Sequence, residues 1–304
     1  MYDLVIIGAG PAGLAASAYA IRKNLNFLTV GDALGGKALY RVSIPGTSEH
    51  RVLRADQLIT GFRRELEYLS ERCCIGMVRE VTHQGHNYSL SVEVGTESKL
   101  IECHSLLIAT GTRIRKLGVP GESDFAGRGL GYSALSYSHL LTDRDIFLYG
   151  DSQRSVDSAL EVALHARTVV LVLEQMGRYH QIYQQRLHGS ENITLLENRS
   201  IKAFRGDSYC SSVMLSDENG ETQEVRADAF FLELRPTPNS AIVAELVETD
   251  EYGHIVIDTR NRTSAAGVFA AGDVTSLGFE QSLVAVGEGA KALLSAYEQL
   301  TWST

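Results

Sequence analysis

An α/β fold of two three-layer domains, the second inserted into the first, is predicted by three stretches of the chain. The first is YDLVIIGAGPAGLAASAYAIRKN at residues 2–24, an apolar strand, a glycine turn and a helix. The second is DIFLYGDSQRSVDSALEVALHARTVVLVLEQ at residues 145–175, again strand, turn, helix and strand. The third is TSAAGVFAAGDVTS at residues 263–276, with the helical stretch QSLVAVGEGAKALLSAYEQL close behind it. Apolar runs of strand length that alternate with helix-period segments argue for βαβ units on a parallel sheet. Both domains are therefore Rossmann-like. The expected boundaries are 1–114 with 244–304 for the first and 115–243 for the second. The linkers are KLGVPGE and ELRPTPNSAIV.

Composition bounds the answer further. The 304 residues are 44% hydrophobic and 21% charged, as in ordinary globular proteins, and suffice for two cores. A net charge of −9 argues against a general nucleic-acid binder. Four cysteines (adjacent Cys73 and Cys74, then Cys103 and Cys210) show neither CxxC nor zinc-ligand spacing. A reducing, cytoplasmic location is expected, with no metal. The opening MYDLVIIGAG lacks a basic leader and reads as a core strand. No apolar run reaches the roughly 20 residues of a membrane span.

The first turn is GxGxxG on Gly8, Gly10 and Gly13, with Pro11 and Ala12 opening the helix. The first glycine allows the tight turn, the second lets backbone N–H groups approach a pyrophosphate, and the third lets helix and strand pack closely. The helix N-terminus then faces the phosphates, where its dipole and free N–H groups favour negative charge. The next strand, FLTVGD, ends in Asp32. That carboxylate is placed either to bind an adenosine ribose or to serve only as a turn residue. Midway along the chain, LLIATGTRIR supplies Ala109, Thr110 and Gly111, and the third stretch supplies Gly272 and Asp273.

Taken together, these pieces resemble the FAD domain of two-dinucleotide-fold flavoprotein reductases. Over nearly the full length the chain resembles the low-molecular-weight thioredoxin reductases. The shared pieces are GAGPAG, Leu34-Gly35-Gly36, Ile44-Pro45-Gly46, VPGE, TPNS and AAGD. The resemblance implies FAD, with Asp273 on its ribitol and phosphate and Ala109-Thr110-Gly111 near its adenine half. It implies that Gly36, Lys37 and Gln281 lie by the isoalloxazine, with Ser282 and Leu283 opening the last helix. Lys37 stands where relatives often carry Gln, and Glu280 where they carry Arg. Trp302, in a short C-terminal tail LTWST, is a candidate flavin cap, or a contact to a partner subunit. A homodimer is implied.

Three departures stand against that pattern. The family's redox CxxC falls on YSALSY, so Ser133 and Ser136 replace its cysteines, and Tyr137 replaces its proton-handling Asp. A serine hydroxyl cannot exchange with a disulfide, because that chemistry needs a thiolate. Natural divergence, favoured by Tyr137, and introduced substitutions both remain open for the serines. Second, the inserted domain's turn reads Gly150-Asp151-Ser152-Gln153-Arg154-Ser155. Ser152 occupies the second glycine position, Asp151 repels phosphate, and Arg154 is expected to pair with phosphate directly. Third, Glu174 stands where the family's NADPH motif is basic; a carboxylate suits ribose hydroxyls and not a 2′-phosphate. NADH, a second FAD held by Arg154 and Glu174, and an empty domain stay open.

The leading reading is an FAD-dependent oxidoreductase of the thioredoxin reductase type without its own dithiol, passing electrons between flavin and a second cofactor or a protein partner. The alternatives are a diflavin protein and a non-enzymatic flavin-binding sensor or scaffold. Some relatives take electrons from ferredoxin. A run holding Arg41, His50, Arg51, Arg54, Arg63 and Arg64 would steer such an acidic carrier, or form a solvated helix face. Cys73-Cys74 would carry redox chemistry only as a strained vicinal disulfide.

Overall fold

In the computed structural model, residues 1–47 and 55–302 are described. The chain divides into two compact units. One comprises Met1–Leu39, Arg51–Arg113 and Thr237–Thr304, and the other Tyr40–His50 and Ile114–Pro236. The linker strand at 237–238 thus falls with the first unit, and the segment at 40–47 with the second.

The first unit opens with β1 (Tyr2–Ile7), α1 (Pro11–Arg22) and β2 (Phe27–Gly31), followed by α2 (Ala55–Tyr68) and β3 (Cys73–Ile75). Next come β4 (Met77–Gln84), β5 (Asn87–Val94), β6 (Glu97–Ile108) and the short β7 (Thr112–Arg113). β1 pairs in parallel with β2 and with β6, and β2 with β3. β6 serves two ladders. Its first half runs antiparallel to β5, its second half parallel to β1, and Cys103 is where they meet. Side chains alternate across a strand. On β1, Leu4 and Ile6 therefore pack on one face with α1, while Val5 and Ile7 pack on the other with Leu28, Leu106 and Leu90.

The second unit holds α3 (Glu122–Phe125), β8 (Leu130–Gly131), β9 (Asp145–Gly150), α4 (Gln153–Val162), β10 (Thr168–Leu173) and α5 (Gln181–His188). It continues through β11 (Ile193–Glu197), β12 (Ser200–Gly206), β13 (Cys210–Ser216), β14 (Thr222–Arg226) and β15 (Ala229–Glu233). Its main sheet is parallel, in the order β11-β10-β9-β15-β8, and an antiparallel β12-β13-β14 sheet lies beside it in sequence. The early segment joins this unit through Val42 and Ile44, which enter its core, and through Ser43, which bridges Arg128.

The chain then returns to the first unit with β16 (Thr237–Pro238), β17 (Val268–Ala270) and α6 (Ser282–Trp302). β16 pairs with β7, and β17 with the end of β6. Both units are Rossmann-like α/β layers. Among the described residues no helix is long and apolar enough to cross a membrane.

Candidate dinucleotide-binding site

At the end of β1 the backbone reverses through Gly8 at φ +110°, a conformation that L side chains rarely adopt. A Cβ there would stand 2.2 Å from the carbonyl oxygen of Ala109. The Ala109-Thr110-Gly111 strand end therefore lies directly over the turn. A Cβ on Gly13 would stand 1.8 Å from the Gly8 carbonyl oxygen, so α1 is clamped to its own turn. Gly289 of α6 lies equally close to Ala12, where a Cβ would meet the carbonyl oxygen at 2.0 Å. Small residues thus bring α6 and the strand end hard against the first turn of α1.

Gly10 differs. It caps α1 with Pro11 at the first helical position, and a Cβ there would meet no heavy atom within 4 Å. Open space therefore lies before a helix N-terminus whose first N–H groups have no intrahelical partner. Around it stand Gly36 (φ +56°), whose Cβ position is 3.0 Å from the Gly10 Cα, and Gly272 (φ +78°), 3.1 Å from the Ala12 Cβ. This is a cradle that side chains would fill and that glycines keep open, and it fits a pyrophosphate.

Lys37 follows Gly36, and its Nζ lies 2.8 Å from Asp273 Oδ2 and 3.1 Å from Glu280 Oε2, and donates to the Thr112 hydroxyl. Four residues from three segments distant in sequence thus converge at the rim of the cradle. Thr110 donates its hydroxyl to the Asn239 carbonyl at 2.7 Å, and Asn239 returns an amide to the Thr110 carbonyl at 3.0 Å. The TPNS stretch therefore fixes the ATG strand end. Gln281, Ser282 and Leu283 form the start of α6, with Gln281 and Leu283 exposed. Asp32 is exposed just beyond β2. Trp302 is the last residue of the 21-residue α6, about 30 Å along the helix from Gln281. The tail expected there is helix, and Trp302 is remote from the Gln281 end of the same chain.

In the second unit the turn is closed on itself. Gly150 packs against Ser155, where a Cβ would meet the Ser155 Cβ at 2.1 Å. Ser155 donates its hydroxyl to the Ser152 carbonyl, and both residues are buried. Arg154, expected on a phosphate, instead places Nε 3.1 Å from Oε2 of Glu233. The reason is that Glu233 is fully buried and needs a countercharge. Burial pushes its carboxyl up, and Arg154 and the Ala134 N–H oppose that rise. Asp151 pairs with Arg115 at 2.6 Å and accepts the Arg235 N–H at 3.0 Å. Glu174, exposed at the end of β10, pairs with Arg178 at 2.5 Å.

Ser133 and Ser136 stand with their hydroxyl oxygens 3.1 Å apart. Ala134 between them donates its N–H to Glu233, which ties the serine segment to the residue that holds Arg154. The Tyr137 hydroxyl accepts the Val42 N–H at 3.0 Å and serves packing.

Cys73 and Cys74 are successive residues of β3 and pack in clusters on opposite faces of the sheet, so their thiols do not face each other. Burial raises the Cys73 thiol and pushes Cys103 and Cys210 each up to about 12, which makes these three poor nucleophiles. Of the basic run, Arg41 belongs to the second unit and Arg63 and Arg64 to the first, while His50, Arg51 and Arg54 lie outside the described residues. Arg63 pairs with Glu67 one helical turn on. Among the described residues no cluster of three or more His, Cys, Asp or Glu is placed to hold a metal.

The profile of the pyridine nucleotide-disulphide oxidoreductases matches residues 2–289. The chain belongs to this family. Within it the chain is a thioredoxin reductase-like flavoprotein, and oxidoreductase chemistry is the activity of the group. It is 32% identical to a thioredoxin reductase of Treponema pallidum over 97% of this chain and 96% of that protein. It is 27% identical to an NADH dehydrogenase of Ferdinandcohnia aciditolerans over all of this chain but only 58% of that longer protein. A solved thioredoxin reductase of Streptococcus pyogenes superposes with a TM-score of 0.87 at 29% identity, covering 99% of this chain and 98% of that one.

Glu233, Thr112 and Asn239 were not singled out from the sequence as site residues. A signal existed for Glu233. A carboxylate inside the apolar run AFFLEL is almost never buried without a partner.

Proposed function

We propose that the first unit holds FAD and that the protein is a flavin-dependent oxidoreductase working without a dithiol of its own. The observation that carries this reading is the open cradle at Gly10, with Gly36 and Gly272 beside it and the α1 turn held close by Gly8 and Gly13. When bound, FAD supplies hydride or one-electron transfer. Gly10 and the α1 N-terminus receive the pyrophosphate, Asp273 receives ribitol hydroxyls, and Ala109 to Gly111 shape the adenine half. Ser133 and Ser136 stand at the redox positions of the family and cannot relay electrons through a disulfide. Electrons therefore pass between the flavin and a second bound cofactor or a protein partner, and the protein acts as a homodimer.

The second unit disfavours NADPH as donor. Glu174 is a carboxylate where a phosphate would need a cation, and Arg154 is engaged by Glu233. NADH, or a small acidic electron carrier such as ferredoxin, is the donor this reading favours. The similarity to an NADH dehydrogenase supports the former.

The test is a count of flavin released from the denatured protein, followed by anaerobic reduction with NADH, NADPH and reduced ferredoxin. One FAD per chain, bleached by NADH or ferredoxin and not by NADPH, is expected. Two per chain would move the second unit to a diflavin role. No FAD after reconstitution would overturn the reading, and flavin that reduces but passes electrons to no acceptor would mark a sensor.

A further inference from the structure

We propose that Lys37 is the countercharge that lets the first unit's cradle accept FAD, and that Glu280 and Thr112 hold its ammonium at the rim while Asp273 serves the cofactor. This rests on the reading of the first unit as the FAD site. A pyrophosphate brings two negative charges. The N-terminus of α1 offers about half a positive charge and a few free N–H groups. Yet the rim of the same cradle carries two carboxylates, Asp273 next to Gly272 and Glu280 before the start of α6. On charge alone, that rim repels the ligand that the glycines make room for.

Lys37 resolves the conflict. Its ammonium has three N–H donors, and the structure supplies three acceptors: Asp273 at 2.8 Å, Glu280 at 3.1 Å and the Thr112 hydroxyl. Thr112 is buried, and the side chains of Lys37, Asp273 and Glu280 are only 29%, 15% and 21% exposed. Charges so withdrawn from water interact more strongly than a surface pair. With Lys37 present, the cluster carries one net negative charge. Without it, two carboxylates would face each other and the diphosphate. Because Lys37 has two anchors besides Asp273, it stays at the rim when Asp273 turns to the cofactor's hydroxyls.

The test uses the flavin-loaded full chain, diluted until FAD leaves, with released FAD read by its fluorescence across a salt series. Lys37→Met is expected to weaken FAD retention at least tenfold and Lys37→Arg to restore most of it. Glu280→Gln, which removes one rim charge while its amide oxygen and Thr112 still accept from the ammonium, is expected to tighten retention, most at low salt. Lys37→Met with Glu280→Gln recovers part of the loss, because it lifts the repulsion. A purely structural role for Lys37 would show the same loss and recovery in the unfolding of the flavin-free proteins. Thermal unfolding of the flavin-free variants reports whether each is folded, and Glu280→Gln tests the charge argument even if Lys37→Met is not. The proposal falls if Lys37→Met retains FAD like the wild type, if the double variant is no better than Lys37→Met, or if Glu280→Gln alone loses tenfold. In those cases wild-type FAD binding still stands. A wild-type chain that never holds FAD would overturn both readings.

Discussion

The Nε of Arg154 lies 3.1 Å from the Oε2 of Glu233, a carboxylate with no exposed surface. This contact joins the turn after β9 to the last residue of β15. Through the N–H of Ala134, it also joins both to the serine segment. A buried ion pair is weak evidence of net stability, but breaking one partner leaves an uncompensated charge. Arg154→Met should therefore cost about 3–5 kcal/mol in urea unfolding at pH 7. Arg154→Met with Glu233→Leu should regain most of it. A double variant as unstable as the single would argue that the pair is not the source of the loss.

The same carboxylate makes a pH prediction. Burial pushes the Glu233 carboxyl above its ordinary value of 4.5, so between 4.5 and that raised value the folded protein keeps a proton that the unfolded chain has lost. Where the folded state binds more protons, stability falls as pH rises. The wild type should lose stability relative to Glu233→Gln as pH rises above 4.5 through the raised value. The difference in unfolding midpoint between the two proteins, followed from acid to neutral pH, measures it. A wild type that instead gains stability relative to Glu233→Gln as pH rises would refute the assignment.

Gly10 and Gly13 should part company under the same substitution. Gly10 has φ −74°, which any residue adopts, and a Cβ there meets nothing. Gly10→Ala should leave the flavin-free protein within about 1 kcal/mol of the wild type. It should still lose FAD at least tenfold, because the methyl enters the space meant for phosphate. Gly13→Ala puts its Cβ on a backbone oxygen that cannot yield and should destabilise the fold itself by about 3 kcal/mol. Thermal unfolding without flavin and FAD titration separate the two effects.

These residues also mark what the sequence could carry. The first turn was legible because the roles of Gly8, Gly10 and Gly13 are local: turn, approach and packing all lie within six residues of Gly8, whereas Gly36 and Gly272 reach the cradle from far along the chain. The partner of Arg154 was not, because it lies 79 residues on, and the turn alone offered a phosphate as its natural ligand. The Lys37 cluster was equally opaque, with Thr112 75 residues away and Glu280 243. Chain order also misleads for residues 40–47, which precede the second unit in sequence yet pack in its core. Trp302 looked like part of a tail, although no Gly or Pro stops the helix before it.

Whether the serine segment can take the shape of a redox pair can be measured. The hydroxyl oxygens of Ser133 and Ser136 are 3.1 Å apart at the head of a short helical turn, and the Ala134 N–H between them is tied to Glu233. Disulfides form when two thiols can approach with little backbone movement. Ser133→Cys with Ser136→Cys should therefore close a disulfide under mild oxidation, with no new pairing among the four native thiols, three of which burial holds protonated. Thiol titration of the denatured double variant should find two fewer free thiols after oxidation than after reduction, and either single variant should show no intrachain change. An oxidised double variant that keeps every thiol free would show that the segment lacks the shape of a redox pair as well as its thiols. In that event the altered chemistry of this chain would extend from its side chains to its backbone.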